Sequence, residues 1–255
     1  MYKIDLNCDL GESFGAYTIG CDNEVLPFIT SANIACGFHA SDPIVMERTV
    51  AAAAVAGTAC GAHPGFPDLM GFGRREMKIS PNEAKAYVLY QIGALASFAK
   101  EAQVKLQHVK PHGALYNMAV KDYDLAKAIC VGVASFDRDL ILLAPANSEL
   151  IHAAKDCGLR TACEVFADRA YEEDGSLVSR KKQGAMITDE QIAVQRVIQM
   201  ITKGTVTSIT GKEIAVHADS VCVHGDNTKA LTFIKSLRKA FDENEITVCN
   251  LEKIF

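Results

Sequence analysis

Short apolar runs alternate along the chain with longer segments in which apolar residues recur every three or four positions. The short runs predict strands over residues 3–9, 33–39, 58–63, 107–112, 140–144, 161–166 and 220–224. The longer segments predict helices, several with readable ends. Ser41 followed by Asp42 and Pro43 marks one start, and Gly57 can close that helix. Ser80, Pro81 and Glu83 form a capping box with proline in the first helical position, opening a helix to about Glu101. Thr188, Asp189, Glu190 and Gln191 repeat that signature, and their helix ends near Gly204. Asp226 or Asn227 can cap the last long helix.

Strand–helix alternation implies parallel strands joined by right-handed crossovers. The strands read as apolar on both faces, as a sheet covered by helices requires. Residues 204–218 break the rhythm with two short β-like runs around Thr210, Gly211 and Lys212, a hairpin near 205–218 inserted before the last strand. No linker, repeat or low-complexity stretch interrupts residues 1–255, which suit one α/β domain of barrel length. An open doubly wound sheet is the alternative, because periodicity does not show closure.

Composition narrows the possible partners. A net charge of -5 provides no electrostatic attraction for nucleic acid or an anionic membrane. No apolar stretch approaches the roughly 20 residues of a membrane span. The N-terminal sequence lacks the charged-then-apolar pattern of a signal peptide. The nine cysteines are odd in number, scattered and without C-x-x-C spacing, which points to reduced thiols and a cytoplasmic location.

Ionisable residues gather where predicted strands end. The first ends in a run with Asp5, Asp9 and Glu12, the second in one with His39 and the third in one with His63. The fourth ends in a run with Lys110 and His112, the sixth in one with Asp168 and Arg169, and the last in one with His224 and Asp226. In a barrel these carboxyl ends surround one mouth, and an open sheet would also gather them at one edge. A lone His or Asp after a strand is commonly a cap or a satisfied loop residue. Here, however, five of the seven histidines, including His108, lie near strand ends. Nucleotide-loop spacing is absent around Gly204 to Lys212, where Glu213 stands in place of Ser or Thr. Pro111 interrupts the His108/His112 pair, which excludes zinc-protease geometry. There is no G-x-S-x-G elbow.

The runs DLNCDLGESFG (5–15), NIACGFHASDP (33–43), GAHPGFPD (61–68), FGRREM (72–77), VKPHGALYN (109–117), EVFADRAY (164–171) and VCVHGDN (221–227) resemble the LamB/YcsF family. That resemblance implies a seven-stranded barrel similar to the glycoside hydrolase/deacetylase fold, a distorted relative of the TIM barrel. It also implies one component of a 5-oxoprolinase, working with subunits B and C to open 5-oxoproline to L-glutamate. ATP would be the co-substrate, handled by the partner subunits. Asp9, Glu12 and nearby histidines would act as general acids and bases. Lys110 or Arg169 would meet the substrate carboxylate. Related deacetylases hold a divalent metal with one Asp and two His, for which Asp9 or Asp5, His39 and His63 are the counterparts. The second helical His of the deacetylase motif is missing, since Pro43 stands four residues after His39. Two rival readings are an independent metal-dependent hydrolase of amides or carbohydrates, and a binding or regulatory subunit without chemistry of its own.

Overall fold

In the first strand the residues alternate strictly: Ile4, Leu6, Cys8 and Leu10 join the apolar core, while Asp5, Asn7 and Asp9 belong to a polar hydrogen-bonded set. This period of two separates a helix-facing side from a barrel interior. The computed structural model describes residues 2–179, 181–223 and 228–255. In order the elements are β1 (Tyr2–Leu10), α1 (Asp22–Val25), β2 (Ser31–Ala35), α2 (Pro43–Ala56), β3 (Ala59–His63) and α3 (Pro81–Glu101). There follow β4 (Leu106–Val109), α4 (Gly113–Ala119), α5 (Tyr123–Phe136), β5 (Ile141–Pro145), α6 (Glu149–Asp156) and β6 (Arg160–Phe166). The chain ends with α7 (Glu190–Lys203), β7 (Thr205–Thr207), β8 (Glu213–Ala215), β9 (Ser220–Val223), α8 (Thr228–Glu243) and β10 (Ile246–Val248).

Strands β1 to β6 pair in sequence order, β6 pairs with β9, and β9 returns to β1, every pair parallel. The β1–β9 pairing closes a seven-stranded barrel and excludes the open sheet. The β7–β8 hairpin stands apart as a two-stranded antiparallel unit between α7 and β9. β10 adds to the start of β1, and Leu251 just beyond it packs on Ile141, Leu143 and Ala162. The segment after α8 thus covers the end of the barrel opposite the mouth.

The helices begin where local chemistry allows. Asp42, rather than Ser41, caps α2 by accepting from Ile44 N and Val45 N, and Gly57 ends it at φ 70. Ser80 and Glu83 complete the capping box of α3. Asp189 caps α7 by accepting from Ile192 N, and Gly204 closes it. The proposed caps of α8, Asp226 and Asn227, lie outside the described residues.

Two expectations change. β2 stops at Ala35 and β4 at Val109, so His39 and His112 sit beyond their strands. The strands are not generally apolar on both faces: only β5 keeps that pattern, with Leu142 and Leu143 in separate apolar clusters. Elsewhere the interior carries Asp5, Asn7, Ser31, Asn33, Glu164 and Ser220, all buried. Burial of the outer face, at about 1.5–3 kcal/mol per Leu or Ile side chain, favours wrapping the helices around it. The interior coheres through hydrogen bonds.

Candidate active site

Four strand ends deliver the central groups. Asp9 and Glu12 follow one another at the top of β1, His63 ends β3, and Lys110 and His112 follow β4. His39 lies between β2 and α2, in a turn where Gly37 N bonds to Ala40 O and Ser41 takes φ 73. That left-handed Ser41, fully buried, is a costly conformation for a side-chain-bearing residue. Gly73 packs over the cluster at φ 63, where a Cβ would lie 2.6 Å from His39 Cβ and 2.9 Å from His112 Cδ2.

The rings of His39 and His112 stack at 3.7 Å with an interplanar angle of 2°. His63 stands edge-on to both. His63 Nδ1 lies 2.7 Å from the Lys110 carbonyl and His112 Nε2 lies 2.9 Å from the Phe72 carbonyl. A carbonyl only accepts, so both of these nitrogens carry the proton. In neutral rings the other two nitrogens, His63 Nε2 and His112 Nδ1, are therefore lone pairs, yet they face each other at 2.9 Å. Either a proton or a cation must lie between them. Glu12 Oε1 is 3.5 Å from His112 Nδ1 and 3.3 Å from His39 Nε2, and Asp9 Oδ2 is 3.4 Å from His63 Nε2.

Burial and the neighbouring rings of His39 and His63 hold His112 well below the usual imidazole range. Burial and His63 do the same to His39. Burial, then the charge of Asp9, raises the Glu12 carboxyl. Rings that resist protonation and offer bare nitrogens suit a metal, which needs neutral imidazole. Carbonyls on the remote nitrogens are the usual outer support of ligating histidines. Glu12, His39, His63 and His112 bring one donor atom each within 4.8 Å of one another. Asp9 and Asp5, the expected oxygen donors, are outside this group, and Glu12 and His112 enter it. His39 fits least well, because its buried Nδ1 has no hydrogen-bond partner to fix the tautomer.

Beneath the histidines lies a second layer. Lys110 Nζ enters the barrel and meets Glu164 Oε1 at 2.7 Å, Asp9 Oδ1 at 3.0 Å, Asn7 Oδ1 at 3.2 Å and Cys222 Sγ at 3.2 Å. Burial alone would lower this ammonium, but Asp9, Cys222 and Glu164 outweigh it and hold the pKa well above its ordinary value. The charge expected to meet a substrate carboxylate is thus already engaged by two protein carboxylates. Tyr116 donates to Glu164 Oε2 at 2.8 Å, and Asn33 Nδ2 donates to Asp9 Oδ1 and Asn7 Oδ1, each at 2.8 Å. Asn7, Asn33, Tyr116, Glu164 and Phe72 were absent from the predicted site. The period-two pattern of β1, β2 and β6 was the signal for Asn7, Asn33 and Glu164. Deeper still, Asp5 accepts from Thr30, Ser31 and Ser220 at 2.5–2.7 Å, and burial lifts its pKa to about 6.

Asp168 and Arg169 follow β6. The charge of Asp168 is felt by the Cys222 thiol, while Arg169 Nη2 donates to the Val178 carbonyl at 2.6 Å and so holds the loop after β6. His224 and Asp226 lie outside the described residues.

A closed parallel barrel with carboxylates, imidazoles and a buried ammonium at the carboxyl ends of its strands defines a (β/α)-barrel protein with one polar mouth. The chain belongs to the LamB/YcsF family, whose profile matches residues 4–255. Relatives include the A subunit of 5-oxoprolinase from Clostridium beijerinckii, 62% identical over the whole of both chains. That of Pyrococcus abyssi is 54% identical over 98% of each chain. The lactam utilization protein of Thermus thermophilus superposes with a TM-score of 0.93 at 44% identity, over 97% of this chain and 99% of that one.

Proposed function

We propose that this chain is the A subunit of an ATP-dependent 5-oxoprolinase and opens the lactam of 5-oxoproline to L-glutamate together with subunits B and C. The observation that carries the reading is the mouth cluster of Asp9, Glu12, His63 and His112, in a chain whose full-length relatives bear that name. An unstrained lactam is a poor electrophile. Phosphoryl transfer from ATP to its oxygen makes the ring carbon attackable and leaves ADP. Water then adds to that carbon, the C–N bond breaks as nitrogen takes a proton, and the resulting acyl phosphate is hydrolysed by a second water. One ATP and two waters thereby yield glutamate, ADP and phosphate. The nucleotide belongs to the partner subunits.

This chain's residues would serve the proton transfers. Glu12, raised by burial, is suited to take a proton from water and return it to the leaving nitrogen, with His112 3.5 Å from its carboxylate oxygen. Lys110 fixes Asp9 and neutralises the floor of the site. Glu12, His63 and His112, with His39, would hold a divalent cation, which when bound supplies Lewis acidity and lowers the pKa of water. All nine cysteines are free, in keeping with a reducing cytoplasm. Among the described residues no helix is long and apolar enough to cross a membrane.

The test is glutamate formation from 5-oxoproline and ATP by the three purified subunits, with each omitted in turn. Turnover should require all three, and the isolated chain should show no 5-oxoproline-stimulated ATP hydrolysis. Asp9→Asn and His63→Ala should abolish coupled turnover while the chain still melts cooperatively. Metal-dependent amide or carbohydrate hydrolysis by the chain alone, without ATP, would favour the independent hydrolase instead.

A further inference from the structure

We propose that Cys163, His217 and Asp219 form a second metal site, for a zinc-type divalent cation, that ties the inserted hairpin to the barrel wall. Cys163 and Glu164 are neighbours on β6 with opposite directions: Glu164 reaches Lys110 inside the barrel, whereas Cys163 packs with the core outside it. Asp219 immediately precedes β9, and His217 follows β8 by two positions. Two segments thus meet here: β6, through Cys163, and the connector from the hairpin to β9, through His217 and Asp219.

The three donor atoms lie within 4.8 Å of one another. His217 Nε2 is already 3.1 Å from Asp219 Oδ1. The other carboxylate oxygen accepts from Cys163 N at 2.7 Å, and Asp219 N donates to the Cys163 carbonyl at 2.8 Å. One oxygen is therefore anchored by backbone and the other is turned towards His217. Tetrahedral zinc, with bonds of about 2.0–2.3 Å, needs donors roughly 3.3–3.7 Å apart. His217 is 70% exposed, so its ring can turn to close the remaining gap. It also lines a cavity of about 270 Å³, from which water can fill a fourth position.

The ligand types select the metal. Thiolate with imidazole favours zinc or cobalt over magnesium or calcium. The same geometry argues against a nucleophilic cysteine. Burial, then the Asp219 charge, pushes the Cys163 thiol up to about 12, so it remains protonated until a metal displaces the proton.

Cobalt(II) titration of the chelator-stripped full chain tests the proposal, because the mouth group contains no cysteine. A thiolate-to-cobalt charge-transfer band should appear in wild type and saturate by two equivalents, since the mouth group can take a second cation without a thiolate. It should persist in His63→Ala and vanish in Cys163→Ser, and His217→Ala should weaken cobalt binding by about tenfold or more. Zinc should raise the melting temperature of wild type more than that of Cys163→Ser. Absence of the band in wild type, its survival in Cys163→Ser, or undiminished affinity in His217→Ala would each overturn the site.

Discussion

Lys110 holds its charge among groups that cannot readily be separated from it. Removing the ammonium would leave Asp9 and Glu164 as uncompensated carboxylates in the barrel. Lys110→Met, which keeps most of the volume, should destabilise the chain by about 3–5 kcal/mol, the cost of breaking a buried pair. Urea unfolding measures this directly, and a loss below about 1 kcal/mol would place Lys110 among ordinary surface pairs. Asp5 gives a pH signature. Its folded pKa, raised from 3.8 to about 6, favours the protonated carboxyl. Its contribution is therefore complete below about pH 4 and is lost as pH rises through 6. Asp5→Asn cannot ionise; its oxygen still accepts from Thr30 and Ser31, while the Ser220 hydroxyl, which donates to Asp5, must turn to accept from the new amide. The variant should thus gain about 2 kcal/mol relative to wild type between pH 4 and pH 8. Denaturation curves that stay parallel across that range would rule out a buried ionising Asp5.

At the scale of elements, the mouth depends on short connections that bring backbone against imidazole. The segment from Asp68 to Gly73 forms one 3-10 turn, after which Phe72 at φ 55 presents its carbonyl to His112 Nε2. Gly73 follows at φ 63, with no room for a Cβ between His39 and His112. Gly73→Ala combines backbone strain with a steric clash and should cost about 1–3 kcal/mol. It should also lower kcat of the assembled enzyme by at least about tenfold, since the stacked rings must move apart. Thermal melts and steady-state kinetics check both, and unchanged kinetics would detach the glycine from the site. The local grammar of these elements was largely legible. Asp42–Pro43, Ser80–Glu83 and Asp189 announce helix starts because a cap is a bond within one turn. Strand ends at His39 and His112 were overrun, because Phe38 before His39 and Val109 before Lys110 continue a β-like pattern as easily as they end one.

For the whole molecule, the decisive contact is between β1 and β9, more than 200 residues apart, which turns a row of strands into a closed wall. The opposite end depends on the segment after α8. Leu251→Ala should open a void against Ile141, Leu143 and Ala162 and cost about 2–5 kcal/mol. The mouth lies at the other end of the strands, so kcat of the assembled enzyme should hold below the lowered melting temperature. A parallel fall in kcat at temperatures where the variant is folded would show that the two ends are coupled.

The sequence by itself determined the order of strands and helices, the caps, the inserted hairpin and the gathering of ionisable groups after strands. Each of these is written in neighbouring residues or in a short repeat. The alternation from Ile4 to Leu10 even contained the polar interior, although apolar strands elsewhere, such as β5, masked it. Only the tertiary structure decided closure, the turning of Lys110 towards Glu164 and Asp9, and the placing of Glu12 and His112 beside His39 and His63. It also decided which imidazole nitrogens are bare. Those outcomes depend on carbonyls and charges brought together from distant segments, where desolvation sets the strength of each interaction, and no local pattern encodes that distance.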